Sequence, residues 1–374
     1  MANMNIGTSR FLTDQISYLM SRGIAQDGNF DVTATGGSGA TATRGVQTGS
    51  EAELFDMRPL NKVDFDTSGD TDSQVLITID TQSTTLKKSY IAILNHNLVS
   101  AVGKIRIFAG DAASEVASVD GTAANTGDIN WSSVTTTEVV NADAIAATSI
   151  SSGTYDNKSI VIEPDTDGST IIRFAEQTLR YWGIQFEGKT SDTSATHHDG
   201  TWGSTDLSIG CICVGRVYDS THAPDLNITR MISYNRMNDL QESYGGQRFS
   251  NLKSFGRTAG STSKSPFTTG SNGYDSYGGR IIYDMSFSFL DSTNLMPDEY
   301  HIVAADDSFV ADVWNMTNGN HLPFIFSIDK SSEGSDADNA ESEHIFARFA
   351  NNSLDMAQVA PNVFNMKLTI EEEF

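Results

Sequence analysis

From Met57 onward, apolar and polar residues alternate along the chain, and a period of two marks strands that turn one face toward a core. In "SQVLITID", Val75, Ile77 and Ile79 oppose Leu76, Thr78 and Asp80. The runs "SYIAILN", "GKIRIFAG", "KSIVIEP", "YWGIQFEG" and "DLSIGCICVGRVY" continue the pattern. Long stretches rich in Ala, Ser, Thr, Gly and Asp, at 111–156 and 188–206, separate these runs and read as loops. No long amphipathic helix lies between strands to make a parallel crossover, so the pattern predicts a mainly β protein built as a sandwich.

A boundary is expected at 218–230, where a turn containing Pro224 follows the last of these strands. Beyond it, "RIIYDMSFSFLD" places Ile281, Tyr283, Met285, Phe287 and Phe289 on one face, against Asp284, Ser286 and Ser288. Phe309, Val310, Val313 and Trp314 make a short helical stripe that Gly319 stops. Strands return in "LPFIFSID", "HIFARFAN" and "NVFNMKLTIEEEF", the last with Phe364, Met366, Leu368 and Ile370 on one face. At the other end, 13–22 predicts a short helix capped by Thr13, with Ile16, Leu19 and Met20 as its apolar stripe and Gly23 as its stop. So short a helix is marginal alone, so the stripe is expected to dock on the body or on another subunit. Residues 31–50 are small and without periodicity, and read as an extended arm. No fixed-period repeat is present, which argues against a solenoid or a propeller.

Composition narrows the functions. With 48 Asp plus Glu against 24 Lys plus Arg, the formal net charge is -24 and the pI about 4.4. No basic stripe exists to neutralise a phosphate backbone, so no nucleic-acid partner is expected. The 31 glycines and mean hydropathy of -0.28 fit a turn-rich globular chain. The two cysteines, Cys211 and Cys213, share one face of a strand, too near in sequence for good disulfide geometry, and read as small buried side chains. No apolar run is long enough for a signal peptide core or a membrane span, so the expectation is a protein made and kept in a cytoplasm, or released from one by lysis.

Candidate chemistry is thin. None of the seven histidines has zinc-type spacing with Cys or Glu, and neither a G-x-S-x-G elbow nor a phosphate-binding glycine loop occurs. His197, His198 and Asp199 read as a solvated loop tip. Asp64, Asp66, Ser68 and Gly69 match the opening of a calcium loop, but Val75 stands where a bidentate Glu is needed, so an acidic turn is the simpler reading. The glycines of "SYGGQRF" and "SYGGRII" serve turns into strands. Acid pairs for glycoside cleavage have no sequence signature, since only their spacing in space defines them. Asn95, His96 and Asn97 stand where one strand ends, and Asn tolerates left-handed backbone, so the triplet reads as a corner whose His makes a local hydrogen bond. No residue is assigned a catalytic, cofactor or metal role.

The order "YIAILNHNLVSAVGKIRIFAGD", "LRYWGIQFEG", "LSIGCICVGRVYDSTHAPDLN" resembles the galactose-binding-like (discoidin-type) sandwich of tailed-bacteriophage virion proteins. "YGGQRF", "YDMSFSFLD", "GNHLPFIFSID" and "FNMKLTIEEEF" follow the order of the same tail proteins. The resemblance covers residues 57–374, with the arm and its short helix (1–56) outside it, and implies a jelly-roll-type galactose-binding-like sandwich (57–218) and a C-terminal β-rich tail-protein domain with a short helical insertion (219–374). It implies a non-enzymatic structural component of the virion, in the tail or its tip, whose partners are copies of itself and other virion proteins, without membrane insertion. In this reading the arm orders on a neighbouring subunit, and deleting residues 1–50 leaves a folded body that fails to assemble. The alternative is a module that binds host-surface glycan through loop residues Trp131, His197, His198 and Trp202.

Overall fold

The computed structural model describes residues 7–23, 30–33, 44–71, 73–116, 129, 131, 134, 136–140, 142–145, 159–190, 200–233, 238–252, 280–297, 307–330 and 344–373. Among the described residues strands far outweigh helices and every strand pairing is antiparallel, so the architecture is mainly β, as the alternation predicts. Sheets of eleven, six, three and two strands account for these pairings.

Two of the sheets face each other. Lys88–His96, Gly168–Gln177 and Cys211–Asp219 belong to the eleven-stranded sheet, while Gln74–Asp80, Gly103–Gly110, Ile160–Pro164 and Tyr181–Gly188 belong to the six-stranded one. Their inward residues interdigitate: Ile91, Ile93, Ile172 and Ile212 from one sheet meet Ile77, Ile107, Trp182 and Ile184 from the other. Each such side chain contributes roughly 1.5–3 kcal/mol on burial, which makes this layer the main store of stability. Cys211 and Cys213 point the other way, free and buried against the Met57 sulfur at 4.0 and 3.8 Å.

The N-terminal segment departs from expectation. Arg10–Asp14 is a strand in the interior of the eleven-stranded sheet, paired with Cys211–Asp219 on one side and with Phe324–Ser327 on the other. All five residues are buried. Phe11 packs among Phe309, Phe324, Phe326 and Phe349, while Leu12 lies on the opposite face with Tyr90 and Phe346. A strand with a core on each face has no polar side to reveal it, which is why alternation does not find it. Gly215 permits this docking: a Cβ there would stand 1.9 Å from the Thr13 carbonyl oxygen. The helix therefore begins at Gln15 rather than at 13, and its cap is Asp14, whose carboxylate accepts from Ser17 N (2.7 Å) and Val214 N (2.8 Å). Ile16 and Leu19 are buried against the chain's own body. Of the expected arm, Phe30–Thr33 pairs with Gln74–Asp80 and Val46–Thr48 with Val63–Phe65, while 34–43 lies outside the described residues.

Because Arg10–Asp14 bridges its two halves, the large sheet runs on past 218–230 into Phe324–Ser327, His344–Phe349, Val363–Glu372, Arg280–Asp291 and Thr229–Ser233. Tyr283, Met285, Phe287, Met366, Leu368 and Ile370 form a second core on one face, as their alternation predicts. Phe289 does not join them. A bulge between Phe287 and Leu290 sets Phe289 at φ 59° and leaves it 74% exposed, and Leu290 takes the inward position. Val310–Trp314 is a single wide turn, with Asn315 N bonded to the Val310 carbonyl, and Gly319 at φ 68° ends it by donating to the Trp314 carbonyl.

Candidate functional site

Among the described residues, a concave surface lies along the seam where the Gln15–Ser21 helix and the 82–86 loop meet the 307–322 segment. Arg216 stands in its middle. Its strand position, opposite Thr13, aims the guanidinium out of the sheet, where it pairs with buried Asp312 (2.5 Å), with Glu176 (2.8 Å) and with Asp307. Burial pulls the Arg216 pKa down, but Asp312 and Glu176 outweigh it, and the net shift is upward. Glu176 is shared with Lys87 Nζ (2.9 Å), so Arg216 sits in a network of opposite charges at the middle of the seam.

Two cavities meet at Arg216. One, of about 300 Å³, has Gln15, Leu19, Leu86 and Asp312 in its wall and the exposed Gln82, Thr84 and Thr85 at its rim. The other, of about 360 Å³, is bounded by Glu176, Tyr218, Asn294 and Asp307. Asn315 connects the first to a shallower polar cleft of about 320 Å³ walled by Arg22, Trp314, Asn318 and His321. Gln15 is the exceptional group here. Its Nε2 donates to the Lys87 carbonyl (2.7 Å), but its Oε1 is buried without a hydrogen-bond partner. A buried acceptor of that kind is rare and costly unless something fills its valence.

The residues singled out in the sequence go elsewhere. Asn95 adopts φ 55°, and its Nδ2 donates to the Pro59 carbonyl (2.7 Å); Asn97 Nδ2 donates to the Asp206 carbonyl (2.8 Å), and its Oδ1 accepts from Ser208 N (2.7 Å). Between them His96 is buried, its Nδ1 accepting from Leu98 N and its Nε2 bonded to Thr170 Oγ1 (2.9 Å). The triplet is a corner. Trp131 and Trp202, expected as stacking surfaces for a glycan, are both buried: Trp131 meets Phe174 edge-on, and Trp202 donates to the Ser73 carbonyl (2.9 Å) while its ring covers Gly103. Neither ring is offered to a ligand. His197, His198 and Asp199 lie outside the described residues. Asp66 and Ser68 are exposed, and the turn they share is closed by Asp206, which accepts from Thr67 N (3.0 Å) and Ser68 N (2.8 Å). Inward N–H groups suit a carboxylate rather than a cation, which favours the acidic turn over a calcium loop. The second glycines differ in place: Gly246 turns the hairpin between Asn238–Glu242 and Arg248–Leu252, while 276–279 lies outside the described residues.

Burial lowers the His96 pKa to about 4. Between the ordinary value near 6.5 and about 4, the unfolded chain binds a proton that the folded chain refuses, so stability falls as the pH drops through that window. Asp14 opposes it, because burial raises its pKa to about 6, and protonation below that point favours the folded state. Comparing wild type with His96→Gln isolates the first effect. Urea titrations at pH 7 and pH 4.5 are expected to show the variant losing about 2–3 kcal/mol less on acidification; equal losses would mean that His96 titrates normally.

Comparison with family models, with curated proteins and with solved structures finds no match for this chain.

Proposed function

We propose that this chain is a structural protein that assembles with further copies of itself through the free end of its large sheet, as a tail or tail-tip component of a tailed-phage particle. The observation that carries the assembly reading is the placing of exposed apolar side chains. Among the described residues, six of the eight large exposed ones, Leu226, Met231, Ile232, Tyr244, Phe289 and Val359, belong to the C-terminal part. Thr229–Ser233 ends the sheet, no strand pairs with its far edge among the described residues, and Ile232 is 59% exposed. An open strand edge with apolar side chains is a template for pairing with another chain. The strand carries no carboxylate, so in a chain of net charge -24 the only charge each of two copies brings to this edge is Arg230.

The virion setting rests on the sequence resemblance, and with it the division into a jelly-roll-type galactose-binding-like sandwich at 57–218 and a tail-protein domain at 219–374. Assembly in a host cytoplasm and release by lysis follow from the same reading. The assembling element in this reading is the sheet end, since the short helix docks on the chain's own body and the strand before it pairs within the same subunit.

Light scattering after size exclusion tests this. Wild type is expected to form a concentration-dependent oligomer, and Met231→Glu with Ile232→Lys to raise the dissociation constant at least about a hundredfold with an unchanged circular dichroism spectrum. A wild-type chain that stays monomeric at its highest soluble concentration would refute the proposal.

A further inference from the structure

We infer that the 300 Å³ cavity beside Arg216 binds a neutral, hydroxyl-rich molecule of monosaccharide size. Its volume lies at the small end of the range for ligand pockets, which suits a single sugar ring rather than a larger cofactor. Gln15 Oε1, in a side chain only 1% exposed, has no donor within the protein, and a ligand hydroxyl that reaches it would supply one. Leu19 and Leu86, packed together in one cluster, offer an apolar wall for the C–H face of a ring, while the Thr84 and Thr85 hydroxyls and the Asn315 amide lie around the rest.

Other ligand classes fit less well. An anion would meet Asp312, which lines the cavity beside Arg216 and already pairs with that guanidinium (2.5 Å). An apolar molecule would leave Gln15 Oε1 desolvated and unbonded. A metal ion lacks ligands, because no group of three or more His, Cys, Asp or Glu suited to one occurs among the described residues. The site is separate from the sheet end at Met231 and Ile232, so it stands or falls independently of assembly.

Saturation-transfer NMR with galactose, glucose, mannose and N-acetylglucosamine, each titrated against the full chain, tests the inference. At least one sugar is expected to bind saturably. Thr84→Trp, a change at an exposed rim position, is expected to abolish that binding by filling the mouth, and Gln15→Leu to weaken it about tenfold. Thermal unfolding shows whether Gln15→Leu is folded; if it is not, Thr84→Trp decides alone. Saturable binding by none of the four sugars overturns the inference, and so does binding that Thr84→Trp leaves unchanged.

Discussion

A chain beginning at residue 15 is expected not to fold. Removing Arg10–Asp14 takes a strand from the interior of the eleven-stranded sheet and leaves Cys211–Asp219 and Phe324–Ser327 with unpaired facing edges. It also removes Phe11 from the aromatic cluster of the second core and Leu12 from the opposite face. Truncating Phe11 alone to Ala is expected to cost about 3–5 kcal/mol, and a buried Leu about 2–5. Together with the lost backbone pairing, these approach the whole stability of an ordinary domain, about 5–15 kcal/mol. The charged ends of the strand add to the loss. Arg10 makes a two-point pair with Asp219 (2.6 and 2.9 Å), and Asp14 caps the helix while bonding Val214 N. Urea unfolding followed by circular dichroism is the measurement. The truncated chain is expected to be insoluble or to unfold without a cooperative transition, and Phe11→Ala to shift the midpoint strongly downward. A truncated chain with the wild-type midpoint would show that the strand is dispensable, the outcome required by the earlier reading of this segment as an arm.

What made some elements readable is the same physics that hid this one. Tyr283, Met285 and Phe287, like Met366, Leu368 and Ile370, lie on strands with one buried face, so their period of two survives in the sequence. Arg10, Thr13 and Asp14 look polar in sequence because their partners, Asp219, the Asp312 carbonyl and Val214 N, are about two hundred or more residues away. Phe289 continued the alternation on paper, but a one-residue bulge reverses every side chain beyond it, and no residue type announces a bulge. The seam was still less legible. Gln15, Arg216 and Asp312 come from three distant segments, so no spacing connects them; the one trace was a charged residue closing the apolar run "CICVGR". Asn95 was legible because its side-chain amide and its tolerance of φ > 0 act locally.

The second large effect is expected at Glu187, which is fully buried on the face of the six-stranded sheet that points away from Ile184 and Phe186. Its carboxylate accepts from Arg106 Nε (2.7 Å) and Arg106 NH2 (3.2 Å), from Gln185 Nε2 (2.7 Å), and lies 3.6 Å from Lys104 Nζ. Arg106 is further tied to Ser159 Oγ (3.1 Å). Burial holds the Lys104 pKa below its ordinary value and Glu187 pulls it part of the way back, so this one carboxylate is the charge partner of two buried basic side chains. Glu187→Ala leaves both without it, and breaking a buried pair in this way costs about 3–5 kcal/mol. The pair itself stabilises far less than that, because each charge was desolvated to make it. Replacing all three members together, with Glu187→Leu, Arg106→Met and Lys104→Met, is therefore expected to recover most of the loss and to come within about 1–2 kcal/mol of wild type. Urea midpoints for the four chains decide it: if the triple variant is as unstable as Glu187→Ala, the network contributes net stability and not merely mutual dependence among its charges.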